Sequence, residues 1–245
     1  MDGSVAENAP IIRVTAQHDV NTGLLVQAME EYLKATERVA TAASRMYIGR
    51  SFDVNVPGTS SDNLKGGVVG GSIIQGSFEE GEEVEIRPGL PVREKNKVKM
   101  KGLFTEITSL HSGNTTVKQA MPGGLIGVGT LLDPSLTKSD GLVGSLIGKP
   151  ETLPPVLGEI SLDIRLFENV IGSREMGKVA SVAKGERLLL NVGTAKTMGT
   201  VTKVAKDYLE ATLTIPVCGE TGDRVALSRR IGSRWRLIGV GTLKG

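Results

Sequence analysis

Residues 50–76 read R-S-F-D-V-N-V-P-G-T-S-S-D-N-L-K-G-G-V-V-G-G-S-I-I-Q-G, two apolar segments joined by a loop rich in proline, glycine and serine. Short runs of valine and isoleucine bounded by turn residues are typical of β-strands. We therefore predict strands over residues 46–56 and 68–74. Glycine inside a strand costs stability, so the glycine pairs at 66–67 and 70–71 indicate either bulges in a curved sheet or a close approach of another backbone.

The same pattern of short β segments separated by turn residues continues along most of the chain. Further strands are predicted at residues 83–87, 97–101, 104–110, 116–120, 125–131, 157–166, 187–192, 195–204, 209–217, 224–230 and 235–242. Closely spaced strands without helices between them indicate antiparallel barrels or sandwiches. Pro150 and the sequence E-T-L-P-P-V at residues 151–156 form the best linker candidate between two such domains, because adjacent prolines extend the chain and forbid helix.

The N-terminal part has a different pattern, a β-rich run at residues 11–15 followed by one amphipathic helix. Asn21 or Thr22 is a plausible N-cap of this helix. A strand and a helix alone bury too little apolar surface to offset their ordering entropy, so the apolar face of the helix needs a partner, and self-association through it is one possibility. That face consists of Leu24, Leu25, Ala28, Met29, Tyr32 and Leu33.

Composition limits the classes of function that are open to the chain. Its 245 residues are 39% hydrophobic with 32 glycines and 3% aromatics, which suits compact β structure. The formal charge of +2 is small, so any RNA contact must come from local clusters. One cysteine and two histidines can form neither an internal disulfide nor a zinc site, and no apolar run is long enough to cross a bilayer. We expect a cytoplasmic protein without a membrane partner or a bound metal.

Two stretches mimic nucleotide-binding motifs. Residues 144–150, G-S-L-I-G-K-P, are one residue short of a phosphate-binding loop and end in proline where a magnesium-binding hydroxyl belongs. Residues 137–140, T-K-S-D, mimic a guanine-reading motif but lie between two β segments, and we predict a solvated loop there. No pattern of carboxylates, serine and histidine indicates a hydrolytic site, so we expect no catalysis by this chain.

Three segments resemble the gamma subunit of archaeal and eukaryotic translation initiation factor 2. They are S-F-D-V-N-V-P-G-T at residues 51–59, G-V-G-T-L-L-D-P-S-L-T-K-S-D at residues 127–140, and W-R-L-I-G at residues 235–239. The resemblance runs from about residue 10 to residue 242, and Leu131 departs from it, since the family commonly has lysine there.

The resemblance implies a mostly β protein with two antiparallel β-barrels like domains 2 and 3 of elongation factor Tu, preceded by a strand and a helix that end an α/β GTPase domain. The implied domains are residues 1–44, 45–152 and 153–245. The nucleotide-binding part of the GTPase domain would precede residue 10, so we expect no cofactor in this chain, although the intact family uses GTP and magnesium.

The intact family carries initiator methionyl-tRNA to the small ribosomal subunit in a GTP-dependent manner. The resemblance therefore implies three partners, which are initiator tRNA, the alpha subunit of the same factor and the small ribosomal subunit. One alternative is a stand-alone, GTPase-free binding module that regulates translation or sequesters tRNA or the alpha subunit. Another is a relative of the selenocysteine-type elongation factors, which the match at residues 51–59 and 235–239 disfavours.

The resemblance also implies candidate site residues. In the family, the first barrel helps to form the pocket for the aminoacylated end of the tRNA. The candidates for that pocket are Arg50, Phe52, Asp53, Asn55, Lys65, Gly66, Gly67 and Gly124. Thr15, Ala16 and Gln17 are a trace of the last guanine-contacting loop, and they are expected to give no useful nucleotide affinity without a phosphate cradle.

A second candidate surface lies near the C-terminus, where four arginines fall within eight residues. They are Arg229, Arg230, Arg234 and Arg236. These side chains either pair with carboxylates on other strands or contact RNA phosphate, at the ribosome for example. Alternation along a strand places Arg234 and Arg236 on one face and Trp235 on the other, so we expect Trp235 to lie in the core.

Overall fold

The computed structural model describes most of the chain as two units. The described residues are 7–34, 41–94, 97–171 and 177–245. The first unit is Met1–Arg38 and the second is Val39–Gly245. Two pieces of the predicted segment 1–44, residues 1–6 and 35–40, lie outside the described residues. No helix in the described ranges is long and apolar enough to cross a membrane.

The first unit contains a 3-10 turn, Ala16–His18, and a helix α1, Thr22–Tyr32. The predicted strand at residues 11–15 is wrong, because only Thr15 forms a β-bridge, to Val20. The described residues of this unit offer no strand that could extend the ladder, and a lone strand leaves its backbone groups unpaired.

Helix α1 begins after Asn21, one of the two predicted caps, but the side chain of Asn21 does not cap it. Asn21 has a left-handed backbone with φ of 61°, and its Nδ2 donates a hydrogen bond of 3.0 Å to the carbonyl oxygen of Arg13. No residue of α1 is buried. Its apolar face is therefore exposed, as the sequence predicts for a face without a partner in its own segment.

The second unit begins with a closed antiparallel barrel of six strands, ordered β1-β2-β8-β5-β4-β9 and back to β1, with β6 added beside β5 and a separate β3–β7 pair. Its strands are β1 Arg45–Phe52, β2 Val68–Gln75, β3 Phe78–Glu79, β4 Glu83–Glu94, β5 Lys97–Ser112, β6 Thr115–Val117, β7 Gln119–Ala120, β8 Leu125–Thr130 and β9 Leu146–Gly148. The short helix α2, Pro134–Thr137, and the 3-10 turns Ser61–Asn63 and Lys138–Asp140 lie in its loops.

Inward-pointing residues of alternate strand positions fill this barrel, because every second side chain of a strand faces the same way. The largest of them are Met46, Ile48, Ile73, Phe78, Ile86, Ile107, Leu110 and Ile147. The core is aliphatic almost throughout, which agrees with the low aromatic content.

Several predicted boundaries in this barrel differ from the structure. Strand β4 runs to Glu94 and not to residue 87, the predicted strand at 116–120 is divided into β6 and β7, and β3 and β9 were not predicted. The strands predicted at 97–101 and 104–110 are one strand, β5, because Gly102 does not end the ladder. A Cβ at Gly102 would lie 3.0 Å from Oε1 of the buried Glu85, so the glycine makes room for a carboxylate. Strand β1 ends at Phe52 and not at residue 56, because the Asp53 carboxylate accepts the Asn55 N–H and turns the chain.

The second barrel is also closed and antiparallel, ordered β10-β13-β12-β11-β14-β15. Its strands are β10 Val156–Leu166, β11 Arg187–Val192, β12 Ala195–Ala205, β13 Tyr208–Cys218, β14 Arg224–Ile231 and β15 Arg234–Leu243. All six lie within two residues of the predicted positions at either end. Its aliphatic core includes Leu162, Leu188, Leu190, Leu209, Val225, Leu227 and Ile238.

The barrels touch each other through a small apolar cluster. Leu146, Leu153 and Cys218 are buried together, with Tyr47 packed against them. Burial raises the pKa of the Cys218 thiol to about 12, so this cysteine is a packing residue and not a reactive thiolate. Arg45 adds an ion pair of 2.7 Å with Glu220.

The predicted linker is part of this joint. Arg87 donates a hydrogen bond of 3.1 Å to the carbonyl oxygen of Leu153, and Oε2 of Glu85 accepts one of 3.1 Å from the N–H of Glu151. Arg87 also forms a salt bridge with Oε1 of Glu85. The linker begins with a turn, because the Thr152 N–H donates to the Lys149 carbonyl oxygen at 3.2 Å and Glu151 has a left-handed backbone with φ of 64°. The prediction of an extended linker is therefore wrong for this part, and hydrogen bonds fix the linker to the first barrel.

Candidate functional site

A broad groove crosses the outer face of the first barrel, over strands β1, β2, β8 and β5. Its volume is about 1000 Å³. Apolar side chains form most of its walls, and Arg50, Lys65 and His111 supply polar groups at its edge. The main apolar wall residues are Phe52, Val54, Leu64, Leu125 and Leu131.

Three glycines of the groove are not required by the barrel. A Cβ built on Gly49, Gly70 or Gly127 would find its nearest atom at 3.9, 3.7 and 3.7 Å respectively, which is ordinary van der Waals contact. None of the three has a left-handed backbone. Neither sterics nor backbone conformation therefore explains these glycines, whereas an open surface for the close approach of a ligand does.

Two of the other glycines predicted for this site, Gly66 and Gly67, have a structural explanation. A Cβ on Gly66 would overlap the Thr130 carbonyl oxygen, and a Cβ on Gly67 would overlap the Thr137 side chain. Gly67 points away from the groove, and Gly124 has no atom within 4 Å of an added Cβ and does not line it. The glycine-rich face thus divides into residues that let the barrel close and residues that keep the groove open.

Arg50 is held at the groove edge by Asp140. The Arg50 Nε and the Ser51 N–H each donate a hydrogen bond of 2.9 Å to Oδ1 of Asp140. The bond from the Ser51 backbone and then that from Arg50 lower the pKa of the Asp140 carboxyl. The prediction of a solvated loop at residues 137–140 is confirmed for the exposed residues 138–140 but is wrong for Thr137, which is fully buried and donates to the Phe52 carbonyl oxygen at 3.1 Å.

Asp53 and Asn55 shape the loop and do not line the groove. Oδ1 of Asn55 accepts the Lys65 N–H at 2.8 Å, and Nδ2 of Asn55 donates to the Lys65 carbonyl oxygen at 2.8 Å. Asp53 in turn accepts both the backbone N–H and Nδ2 of Asn55, and the backbone bond is the main cause that lowers the pKa of its carboxyl. Both residues therefore position Leu64 and Lys65 at the groove.

Sequence reasoning missed part of the groove. His111 and Leu125 belong to it because β8 pairs with β2 on one side and β5 on the other, which places His111 opposite Gly127. His111 Nδ1 lies 3.4 Å from the Thr116 hydroxyl. The local sequence does not predict that His111 and Leu125 belong to the groove, because only the register of the paired strands brings them next to residues 50–76.

The arginine cluster lies on the second barrel and does not act as a unit. Arg229 forms a two-fold salt bridge with Glu186, with distances of 2.5 and 3.1 Å, and donates to the carbonyl oxygens of Ala180 and Ser181 at 2.7 and 3.1 Å. This arginine fixes the segment before β11 and has a structural role. Among the described residues, Arg230, Arg234 and Arg236 form no ion pair.

The prediction that Trp235 lies in the core is wrong. The residue is 39% exposed, because it belongs to the tip of the β14–β15 hairpin, where it pairs with Arg230. Alternation does place it on the face opposite Arg234 and Arg236, but neither face of the tip points into the barrel core.

The residues predicted as a trace of a guanine-contacting loop form a turn of the first unit. Thr15 uses its backbone N–H and carbonyl in the bridge to Val20, and Ala16 and Gln17 lie in a 3-10 turn. Residues 172–179, G-S-R-E-M-G-K-V, have phosphate-loop spacing but end in valine, and no helix follows them. In the described part of the chain no group of three or more metal-ligating side chains gathers.

Comparisons with known proteins agree with this architecture. Residues 66–143 match the family described as elongation factor Tu domain 2, and residues 158–243 match the family described as initiation factor eIF2 gamma, C terminal. A bacterial selenocysteine-specific elongation factor has the same fold over 96% of this chain and 34% of its own, with a TM-score of 0.70 and 18% identity. The protein is thus of the class that carries elongation-factor-Tu-like barrels.

The family within that class follows from closer relatives. The chain is 52% identical to translation initiation factor 2 subunit gamma of Methanocaldococcus jannaschii over 243 residues, and 52% identical to that of Thermococcus kodakarensis over 242. It is 51% identical to that of Methanopyrus kandleri over 239 residues. The chain belongs to the translation initiation factor 2 gamma family. These matches cover 98–99% of this chain and 58–59% of each relative.

Proposed function

We propose that this chain provides the two barrels of a translation initiation factor 2 gamma subunit and that the groove receives the aminoacylated end of initiator tRNA. The proposal rests on the floor of the groove, which is formed by Gly49, Gly70 and Gly127. These positions have no side chains although the barrel could accommodate them. Apolar walls suit a nucleobase and an apolar aminoacyl group, and cations at the edge suit the adjoining phosphates. Arg50 and Lys65 are the edge cations in this proposal.

The proposal extends to the other partners. The relatives are named as one subunit of a factor, so we propose the alpha subunit and the small ribosomal subunit as partners, with the cytoplasm as the compartment. Initiator tRNA binding by this chain alone should be weak and strongly dependent on salt, because contacts from lysine and arginine to phosphate would dominate it. Affinity for the alpha subunit should be less sensitive to salt.

Filling the groove tests the proposal directly. Replacing both Gly70 and Gly127 by valine places methyl groups in the groove, and we expect binding of initiator methionyl-tRNA to weaken at least tenfold in a filter-binding titration. Gly158→Val is the matched control, because an added Cβ there meets no atom within 4 Å and clashes no more than one at Gly70 or Gly127, whereas Gly158 lies on the second barrel. Equal affinity of the double variant and the control, with both folded by circular dichroism, would contradict the proposal.

We also propose that this chain alone neither binds nor hydrolyses GTP. The phosphate cradle and the magnesium-binding hydroxyl that dominate such sites have no counterpart in its 245 residues. Calorimetric titration with GTP and magnesium should show no heat of binding at micromolar concentrations. A micromolar affinity, or turnover above buffer, would show that residues outside the known motifs form a site.

Self-association through α1 is a further proposal. Leu24, Met29 and Tyr32 are each about half exposed, which is unusual for adjacent large apolar side chains of one helix. The double variant Leu24→Lys, Met29→Lys should lower the sedimentation coefficient at high concentration if copies of the chain meet there. The double variant Gln27→Lys, Glu31→Lys changes the polar face and is the control. Identical sedimentation of both variants and the parent would exclude this contact.

A further inference from the structure

We propose that the tip of the β14–β15 hairpin binds single-stranded RNA, with Trp235 stacking on a base and Arg230, Arg234 and Arg236 contacting phosphates. This site lies on the second barrel and does not depend on the groove of the first. It would recognise an unpaired strand with little preference for base, since every base has an aromatic face.

The hairpin tip projects beyond the strands on either side of it. On one side, β11 pairs with β14 only as far as Ser228. On the other side, β10 pairs with β15 only as far as Gly239. Residues 229–231 and 234–236 therefore form β pairs only with each other, and a ligand can approach their side chains from outside the barrel.

The charges of the tip are mostly uncompensated. Glu186 neutralises Arg229, which leaves Arg230, Arg234 and Arg236 without a carboxylate partner in the parts of the chain that the structure describes. Arginine presents a planar fork of donors that fits phosphate oxygens in pairs. Three such groups within seven residues are a local concentration of positive charge in a chain whose net charge is only +2.

Trp235 adds a feature that charge alone does not require. It lies directly across the hairpin from Arg230, on the same face of the two strands, and is 39% exposed. The exposed indole therefore has one unpaired guanidinium group, that of Arg230, on its own face, and those of Arg234 and Arg236 lie on the opposite face of the same two-stranded tip. A strand of RNA that stacks a base on the ring can reach these donors with its neighbouring phosphates around the tip. An acidic protein segment would use the arginines but would gain less from the ring, so these observations favour RNA.

The tryptophan itself provides the measurement, because it is the only one in the chain. Titration of the 245-residue chain with a 12-nucleotide oligouridylate or oligoadenylate should quench its fluorescence, since a stacked base contacts the emitting ring. A polyglutamate peptide of equal charge is the control ligand. Quenching by both RNAs and not by polyglutamate supports the site, whereas tighter binding of polyglutamate than of RNA overturns it in favour of an acidic protein partner.

Variants separate stacking from charge, with affinity measured by anisotropy of a labelled oligouridylate. Trp235→Ala should weaken binding about tenfold and Trp235→Phe should restore most of it. The triple variant Arg230→Gln, Arg234→Gln, Arg236→Gln should reduce the slope of log affinity against log salt by about two, because each phosphate that the protein no longer neutralises lowers the slope by roughly 0.7.

The matched control removes three exposed charges of the same barrel outside the hairpin tip, Lys196→Gln, Lys206→Gln and Arg224→Gln. It should leave the salt slope within experimental error of the parent. If the control lowers the slope as much as the hairpin variant, or if Trp235→Ala binds as tightly as Trp235→Phe, the attraction is a general charge effect and the site does not exist. Each variant is first shown to keep the parental melting temperature.

Discussion

The two barrels have the same architecture but differ in the side chains on their outer surfaces. Each is a closed ring of six antiparallel strands around an aliphatic core. On the first, side chains are missing where the barrel could hold them, at Gly49, Gly70 and Gly127. On the second, a hairpin carries additional arginines and a tryptophan beyond the ring. The core decides that a barrel forms, and the outer residues that the core does not need decide what the barrel can bind.

The largest expected effect comes from the joint that holds the two barrels together. Glu85 is only 3% exposed, and its carboxylate binds both Arg87 and the backbone of the linker. Glu85→Ala leaves Arg87, whose side chain is 27% exposed, without its partner and the Glu151 N–H without its acceptor. This should cost about 3 kcal/mol, the lower end of the range for a buried pair. Urea unfolding should show this loss, with the two barrels melting in separate steps.

Glu83→Ala is the control for that measurement, because Glu83 is exposed on the same strand. It should change the free energy of unfolding by no more than about 0.5 kcal/mol. Equal free energies of unfolding for the two variants would show that the buried Glu85 carboxylate does not stabilise the contact between the barrels.

The next largest effect is expected at Arg229, which has a structural role that the exposed Arg234 of the same hairpin does not have. Arg229→Gln removes a partly buried two-fold salt bridge and two exposed hydrogen bonds to carbonyl oxygens, and should destabilise the protein by about 2 kcal/mol. Arg234→Gln should cost less than about 0.5 kcal/mol, because its side chain is exposed. Thermal denaturation compares the melting temperatures of the two variants. A larger decrease for Arg234→Gln than for Arg229→Gln would show that Arg234, and not Arg229, has the structural role.

The same salt bridge predicts a dependence on pH. Burial raises the pKa of Glu186, but the hydrogen bonds from Arg229 and from the Ala183 N–H outweigh it, so the pKa is lowered overall. A lowered folded-state pKa contributes stability that is present above the unfolded value, about 4.3, and is lost as the pH falls through the folded value. The stability gap between the parent and Arg229→Gln should therefore be full at pH 7 and narrow below about pH 4. A gap that stays constant down to pH 3 would show that Glu186 is not the relevant partner.

Local patterns in the sequence predicted the strands well, because short apolar runs between turn residues carry their own signal. They failed where a residue serves a distant partner. Gly102 was expected to end a strand but makes room for Glu85, and Trp235 was expected in the core but lies beyond the ring. The run at residues 11–15 has strand composition but finds no partner strand in the described part of its unit.

The groove shows the same limit for the candidate site. Arg50, Phe52, Lys65 and Gly66 were predicted and do line it, since they are close in sequence. His111 joins them only because the register of three strands places it there. Which glycines are required by the fold also depends on neighbouring atoms that no sequence pattern reveals.

The smallest expected effect tests that division of the glycines. Gly70→Ala and Gly127→Ala each add a methyl group whose nearest atom is 3.7 Å away, an ordinary van der Waals contact. Each should therefore leave stability unchanged or raise it by about 0.5–1 kcal/mol, the usual cost of glycine relative to alanine in a strand. Gly71→Ala is the contrasting variant, because its Cβ would overlap the Tyr47 carbonyl oxygen and should destabilise the barrel. If Gly70→Ala is as damaging as Gly71→Ala in urea unfolding, the groove floor is a requirement of the fold, and the main argument for a ligand there is lost.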